Sequence, residues 1–153
     1  DSIYQDDPDL SSSVADLFDI SDVTNIQAAP DPDPNPAIFG KAPPQTWCYY
    51  FEKADLARQR QDWKAVLQLK AEADERGYGP DLAAEYLPFI EAYARANQWE
   101  EAYQLSQTAR GIGEGTGMAL CNAWKRYGQF NSNEEMLAYT AKASQEFCTA
   151  GNP

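Results

Sequence analysis

The chain contains no histidine in its 153 residues, which excludes Ser-His-Asp and Cys-His catalysis together with every histidine metal site. Cysteine is scarce: Cys48, Cys121 and Cys148 make an odd count with no C-x-x-C pair, so the usual zinc and thioredoxin signatures are missing as well. Twelve Lys and Arg stand against 24 Asp and Glu, a net charge of -12. That balance lacks the clustered positive charge on which phosphate-backbone binding depends, so nucleic acid is excluded as a partner and anionic membrane surfaces are disfavoured. No stretch approaches the ~20 apolar residues needed to span a bilayer, and nothing at the start has the form of a signal peptide. No segment alternates as a strand does. The first residue is Asp1 rather than Met, which fits a processed chain or a piece of a longer one.

What is present is enough for one domain. Four Trp, nine Tyr and six Phe supply the apolar area that offsets the entropy of ordering the chain. The composition divides the sequence at about residue 44. Residues 1–44 hold nine Asp, no Glu and a single Lys, which is two thirds of the net charge, and seven of the ten prolines. The run from Ala29 to Pro36 cannot be a helix, because each proline lacks its amide hydrogen and pushes its predecessor towards extended geometry. In the same arm Ser13 and Asp16 have capping-box spacing, and Val14, Leu17 and Phe18 form the apolar side of a short helix. With Ile20, Val23 and Ile26 continuing the apolar series, we expect an irregular arm laid along the helical body by Phe18, Ile20, Ile38 and Phe39.

From residue 45 to 153 the composition shifts to Ala, Glu, Gln, Leu, Arg and aromatics. Pattern and punctuation predict six helices, over about 45–60, 62–76, 81–97, 98–110, 115–128 and 132–148, with Gly77, Gly79 and Pro80 and then Gly111, Gly113 and Gly115 as the main breaks. The fold class is all-α. Laying Tyr50–Leu69 over Tyr86–Leu105, a shift of 36 residues, brings Tyr50 onto Tyr86, Trp63 onto Trp99, Gln68 onto Gln104 and Leu69 onto Leu105. A period of this size is what stacked helical hairpins produce, since one hairpin cannot bury its apolar face alone.

At these positions the chain resembles the tetratricopeptide family, whose motif has an aromatic early in the first helix, small residues where the helices cross, and an aromatic at the turn. Tyr50, Ala54, Ala57, Trp63 and Ala73 stand at such places in one copy, and Tyr86, Tyr93, Trp99, Ala102 and Ala109 in the next. Lys53, Val66 and Lys70 depart from it, Pro88 falls inside a predicted helix, and a third hairpin from Ala119 to Phe147 follows the pattern loosely. The resemblance implies three stacked antiparallel helical hairpins, with Trp63 and Trp99 in equivalent places. The segment from Trp47 to Arg58, with Asp62-Trp63, Leu87-Pro88-Phe89-Ile90-Glu91 and the preceding Ile38-Phe39-Gly40, also looks like the soluble carboxyl-terminal tail of bacterial multi-pass membrane proteins related to glycosyltransferases. That likeness implies a domain outside the cytoplasmic membrane, periplasmic or on the cell surface, whose membrane portion lies elsewhere in a parent chain; the alternative is a cytoplasmic domain.

Candidate chemistry is sparse. Asp31, Asp33 and Asn35 imitate the opening of a calcium loop, but Pro36 and Ala42 occupy the places of its required Gly and closing Glu. The glycine-rich stretch from Gly111 to Gly117 follows a helix, carries no Lys and includes Glu114, so it reads as a turn and not a phosphate loop. Glu100-Glu101 and Glu134-Glu135 sit near predicted helix starts, where negative charge favours the helix dipole. We expect no cofactor, no metal and no catalytic residues. The tetratricopeptide likeness implies that Asp55, Arg58 and Gln59, then Leu87, Glu91 and Arg95, face the inner groove. That surface suits a protein or peptide partner, or a glycan if adjacent aromatics are exposed; a small carboxylate enzyme is the third possibility. For the cysteines, a turn centred near Asn131 puts Cys121 opposite about residue 140 and leaves Cys148 roughly 12 Å further along at 1.5 Å per residue. The limit for Cα atoms in a disulfide is ~7 Å, so no Cys121–Cys148 bridge is expected unless the final helix bends or starts late.

Overall fold

The computed structural model describes residues 35–40, 44–113, 115–130 and 133–148. A single turn, α1 (Pro36–Phe39), precedes the helical body of α2 (Trp47–Gln59), α3 (Trp63–Glu75), α4 (Leu87–Arg95), α5 (Trp99–Arg110), α6 (Thr116–Tyr127) and α7 (Glu134–Phe147). These six form three paired hairpins, α2 with α3, α4 with α5 and α6 with α7, stacked in chain order. The predicted all-α class and the hairpin architecture are what the fold shows.

The first two hairpins turn in the same way, one 36-residue step apart. Gln61 and Asn97 both have left-handed backbone, at φ 59° and 58°. The next amide reaches back over the turn, from Asp62 to the Ala57 carbonyl and from Gln98 to the Tyr93 carbonyl, each at 2.9 Å. This bond satisfies a carbonyl that the helix end leaves open. Asp62 then caps α3 by accepting the Ala65 amide at 3.0 Å. Trp63 and Trp99 therefore open their second helices from equivalent backbone positions. Their surroundings differ: Trp99 is fully buried with its ring 6.3 Å from Trp124, whereas Trp63 is half-buried at the tip of the first hairpin.

Pro88 is accommodated because the predicted 81–97 helix is two elements. A 3-10 turn, Ala83–Tyr86, hands over to α4 at Leu87, which makes Pro88 its second residue, where a missing amide hydrogen costs no intrahelical bond. The entry to this hairpin is clasped by Glu85, whose Oε2 accepts the Trp47 indole N–H at 2.9 Å and the Asp81 amide at 3.0 Å.

Two apolar clusters hold the stack. Trp47, Tyr50, Ala54, Val66 and Ala73 pack with Phe89 and Ala92, while Leu87, Ile90 and Ala94 turn the other way to join Trp99, Leu120, Trp124, Tyr127, Met136 and Phe147. Helix α4 thus serves both sides. Between α5 and α6 the indole of Trp124 donates to Ser106 Oγ at 3.0 Å, and that hydroxyl donates to the Ala102 carbonyl at 2.7 Å.

The exception allowed for the disulfide is the one that occurs: the final helix starts late, at Glu134, and Cys121 and Cys148 are bonded, with Cα atoms 5.0 Å apart. The register explains it. Gly128 lies against Thr140, so closely that a methyl group on Gly128 would come 3.1 Å from Thr140 Cγ2, and α7 starts only at Glu134 after Asn133 caps it by accepting the Met136 amide at 2.6 Å. Counting two helical turns from the Gly128–Thr140 contact, up α6 and down α7, meets Cys121 and Cys148. The pairing is centred near residue 134 instead of 131, which slides α7 along its partner and brings the sulfurs together.

Of the arm, Asn35 caps the short α1 turn by accepting the Ala37 amide at 2.9 Å, and Pro36 occupies its first position, where proline's fixed φ suits the helix and its missing amide hydrogen costs no bond. Ile38 is 73% exposed and so is no anchor for the arm, contrary to expectation. The expected anchors Phe18 and Ile20, the Ser13–Asp16 capping box and the proline run up to Pro34 lie outside the described residues.

Candidate functional site

The residues expected to face an inner groove lie on α2 and α4, which pack side by side, with α6 beside α4. On α2, Asp55 accepts from Arg58 Nε at 2.7 Å and from Gln59 Nε2 at 2.8 Å. On α4, Glu91 pairs with Arg95 at 3.3 Å. Asp55–Gln59 and Glu91–Arg95 are the same construction one repeat apart: a carboxylate receives a donor one helical turn later, at the i, i+4 spacing that makes helical residues neighbours.

The third first-helix contributes Tyr127, which sequence reasoning passed over. Its side chain is buried and its hydroxyl has no hydrogen-bond partner among the described residues. Burial pushes its pKa well up and the Glu91 carboxylate adds to that, while Arg126, Arg58 and Arg95 oppose it. Charges from α2, α4 and α6 are thus all close enough to act on one phenol. Arg95 also lies over aromatic rings from the neighbouring hairpins: its guanidinium is 3.5 Å from the Phe130 ring centroid and 5.2 Å from that of Trp63, a cation–π arrangement. Residue spacing in the irregular third hairpin gave no signal for Tyr127 or Phe130.

Two of the expected groove residues are placed differently. Leu87 is 2% exposed and belongs to the core; at the first position of α4 its side chain fills the space between the second and third hairpins, so it is not a surface contact. Arg58 is also largely buried, its side chain 5% exposed against Asp55, and so is not the solvated surface charge expected. Asp55 and Glu91 are half-buried, while Gln59 and Arg95 are exposed.

Elsewhere the carboxylates serve structure. Glu100 and Glu101 occupy the first turn of α5 and Glu134 and Glu135 that of α7. Glu146 accepts from the Tyr103 hydroxyl and from Gln107 at 3.3 Å, tying α7 to α5; this bond is the largest cause of a Tyr103 pKa pushed up to about 12. Among the described residues no group of His, Cys, Asp and Glu is placed to hold a metal ion, and no helix is long and apolar enough to cross a membrane. No family model, no curated protein and no solved structure matches the chain.

Proposed function

We propose that this is a non-enzymatic interaction domain that captures a polar peptide segment of a partner protein on the face shared by α2, α4 and α6. The observation that carries the reading is the recurrence of Asp55–Gln59 as Glu91–Arg95, because a ligand with a regular backbone meets the same donor and acceptor at each repeat. Asp55, Gln59, Glu91 and Arg95 make the contacts, and Arg58 holds Asp55 in place. What supports a location outside the cytoplasm, as the tail of a bacterial membrane protein, is the Cys121–Cys148 disulfide, since such bonds persist in oxidising compartments. A glycan partner needs two adjacent exposed aromatic rings; among the described residues Tyr78 is the only exposed aromatic, which favours the peptide.

The test is selection of the purified domain against a random-sequence peptide display library, with a panel of bacterial surface oligosaccharides beside it. The expected result is enrichment of mixed-charge peptides whose binding falls at least about tenfold in Gln59→Glu, with an unchanged melting curve, as changes at exposed positions usually alter stability by less than ~0.5 kcal/mol. Enrichment that survives Glu91→Lys and Gln59→Glu sinks the assignment of this face, and binding of oligosaccharides alone replaces the peptide by a glycan.

A further inference from the structure

A groove of about 340 Å³ runs between α2 and α3, lined by Lys53, Leu56, Ala57, Arg60, Asp62, Ala65 and Leu69. All of these residues belong to the first hairpin, so the groove lies on the face turned away from the second. The repeat shows what such a face does. In the second hairpin Phe89, Ala92 and Leu105 are the residues that receive the first, packing with Trp47, Tyr50, Ala54 and Val66. One 36-residue step earlier stand Lys53, Leu56 and Leu69, and all three line the groove. The groove is therefore the first hairpin's copy of the surface through which each repeat accepts the one before it. A terminal repeat of a stacked array needs that surface covered.

The segment leading directly into the first hairpin is the acidic arm, and charge selects it as the cover. Lys53 stands where the second hairpin has Phe89, so the receiving surface has exchanged its large aromatic for a cation, and Arg60 lines the same groove. Residues 45–76, the first hairpin with its flanking residues, carry six acidic and six basic side chains, whereas the arm has a net charge of -8. Within the arm, Val14, Leu17 and Phe18 share one side at helical spacing, interleaved with Asp16, Asp19 and Asp22. We propose that residues 14–22 seat Leu17 and Phe18 on Leu56, Ala57 and Leu69, with Asp16 or Asp19 beside Lys53, and so act as the cap of the helical stack. More than twenty residues separate Phe18 from Trp47, and at ~3.3 Å per residue they reach either end of α2. This surface is distinct from the face assigned to partner binding, so the two assignments stand or fall separately.

The full chain is the material for the test. Zero-length carbodiimide coupling followed by mass spectrometry should join Lys53 to Asp16, Asp19 or Asp22. Leu17→Asp with Phe18→Asp should remove those links and speed hydrogen exchange of the amides at Leu56 and Leu69 by on the order of tenfold, while amides of α6 and α7 keep their rates. Lys53→Glu should weaken the seat and Asp19→Lys should restore it. Unchanged exchange at Leu56 and Leu69 in the Leu17/Phe18 variant overturns the proposal. So do Lys53 links that, in a mixture of isotopically labelled and unlabelled chains, run between molecules, since the occupant is then a second copy.

Discussion

The first and third hairpins hold two helices antiparallel by different means. In the first, the chain reverses within Arg60, Gln61 and Asp62, and backbone bonds confined to the turn fix the geometry. In the third, the reversal runs from Gly128 to Asn133 and the far ends are fastened by Cys121–Cys148. The middle hairpin copies the first at its turn and shares its core with the third. A short turn with a left-handed residue sets register by itself; a longer one leaves the register to contacts further up the helices.

This contrast can be broken most forcefully at the disulfide. Closing a loop of sequence separation 27 contributes roughly 3–4 kcal/mol through the unfolded chain, so Cys121→Ala with Cys148→Ala should lower the melting temperature by on the order of 10–20 °C. Thermal unfolding followed by circular dichroism checks it, and hydrogen exchange should rise first in α7. A drop of only a degree or two would mean that the third hairpin is as self-sufficient as the first.

Next in size is Ser106→Ala. It leaves the buried Trp124 indole without its acceptor, at a cost of about 1–3 kcal/mol, read as a lower denaturant midpoint. The same substitution at exposed Thr108 should do far less.

The first hairpin is sharpened by Gln61→Gly. A non-glycine residue at φ 59° is strained by about 1 kcal/mol or more, so glycine should stabilise by up to ~1 kcal/mol even after its larger unfolded-state entropy. Asn97→Gly should gain less, because asparagine tolerates this conformation better. A Gln61→Gly variant that is less stable would show that the side chain contributes more than the strain costs.

The smallest effect is in alkali. Tyr103 has its pKa pushed up to about 12 by its bond to Glu146, above the usual 10 for tyrosine. Its neutral form is thus favoured in the folded state. The resulting stability is fully present below pH 10 and is lost as pH rises through about 12. Tyr103→Phe should flatten that part of the stability–pH curve, and the ultraviolet titration should lose one late-ionising phenol.

These regions also differ in how much of them could be read from the residues. The two copies with Trp63 and Trp99 were legible because turn, aromatic and small residues recur at one spacing, and backbone geometry follows the same spacing. The disulfide was not, because register in the third hairpin depends on the close approach of Gly128 to Thr140, a contact between helices that no local pattern encodes. The candidate face shows the same division. Asp55, Gln59, Glu91 and Arg95 follow from repeat spacing, whereas burial of Leu87 and Arg58 and the convergence on Tyr127 depend on how hairpins stack. Lys53 looked like a defect in the repeat; the groove gives it a setting.

The disulfide also has a mechanical meaning. Tension applied to the chain beyond Cys148 does not travel along α7 but crosses the sulfur bridge directly to Cys121 in α6. The intervening segment, which includes Gly128, Asn133 and all of α7, is hidden from the load. A stretched molecule therefore extends by roughly 90 Å less than its contour allows, at ~3.4 Å for each bypassed residue, until a reductant opens the bridge and releases that length in one step.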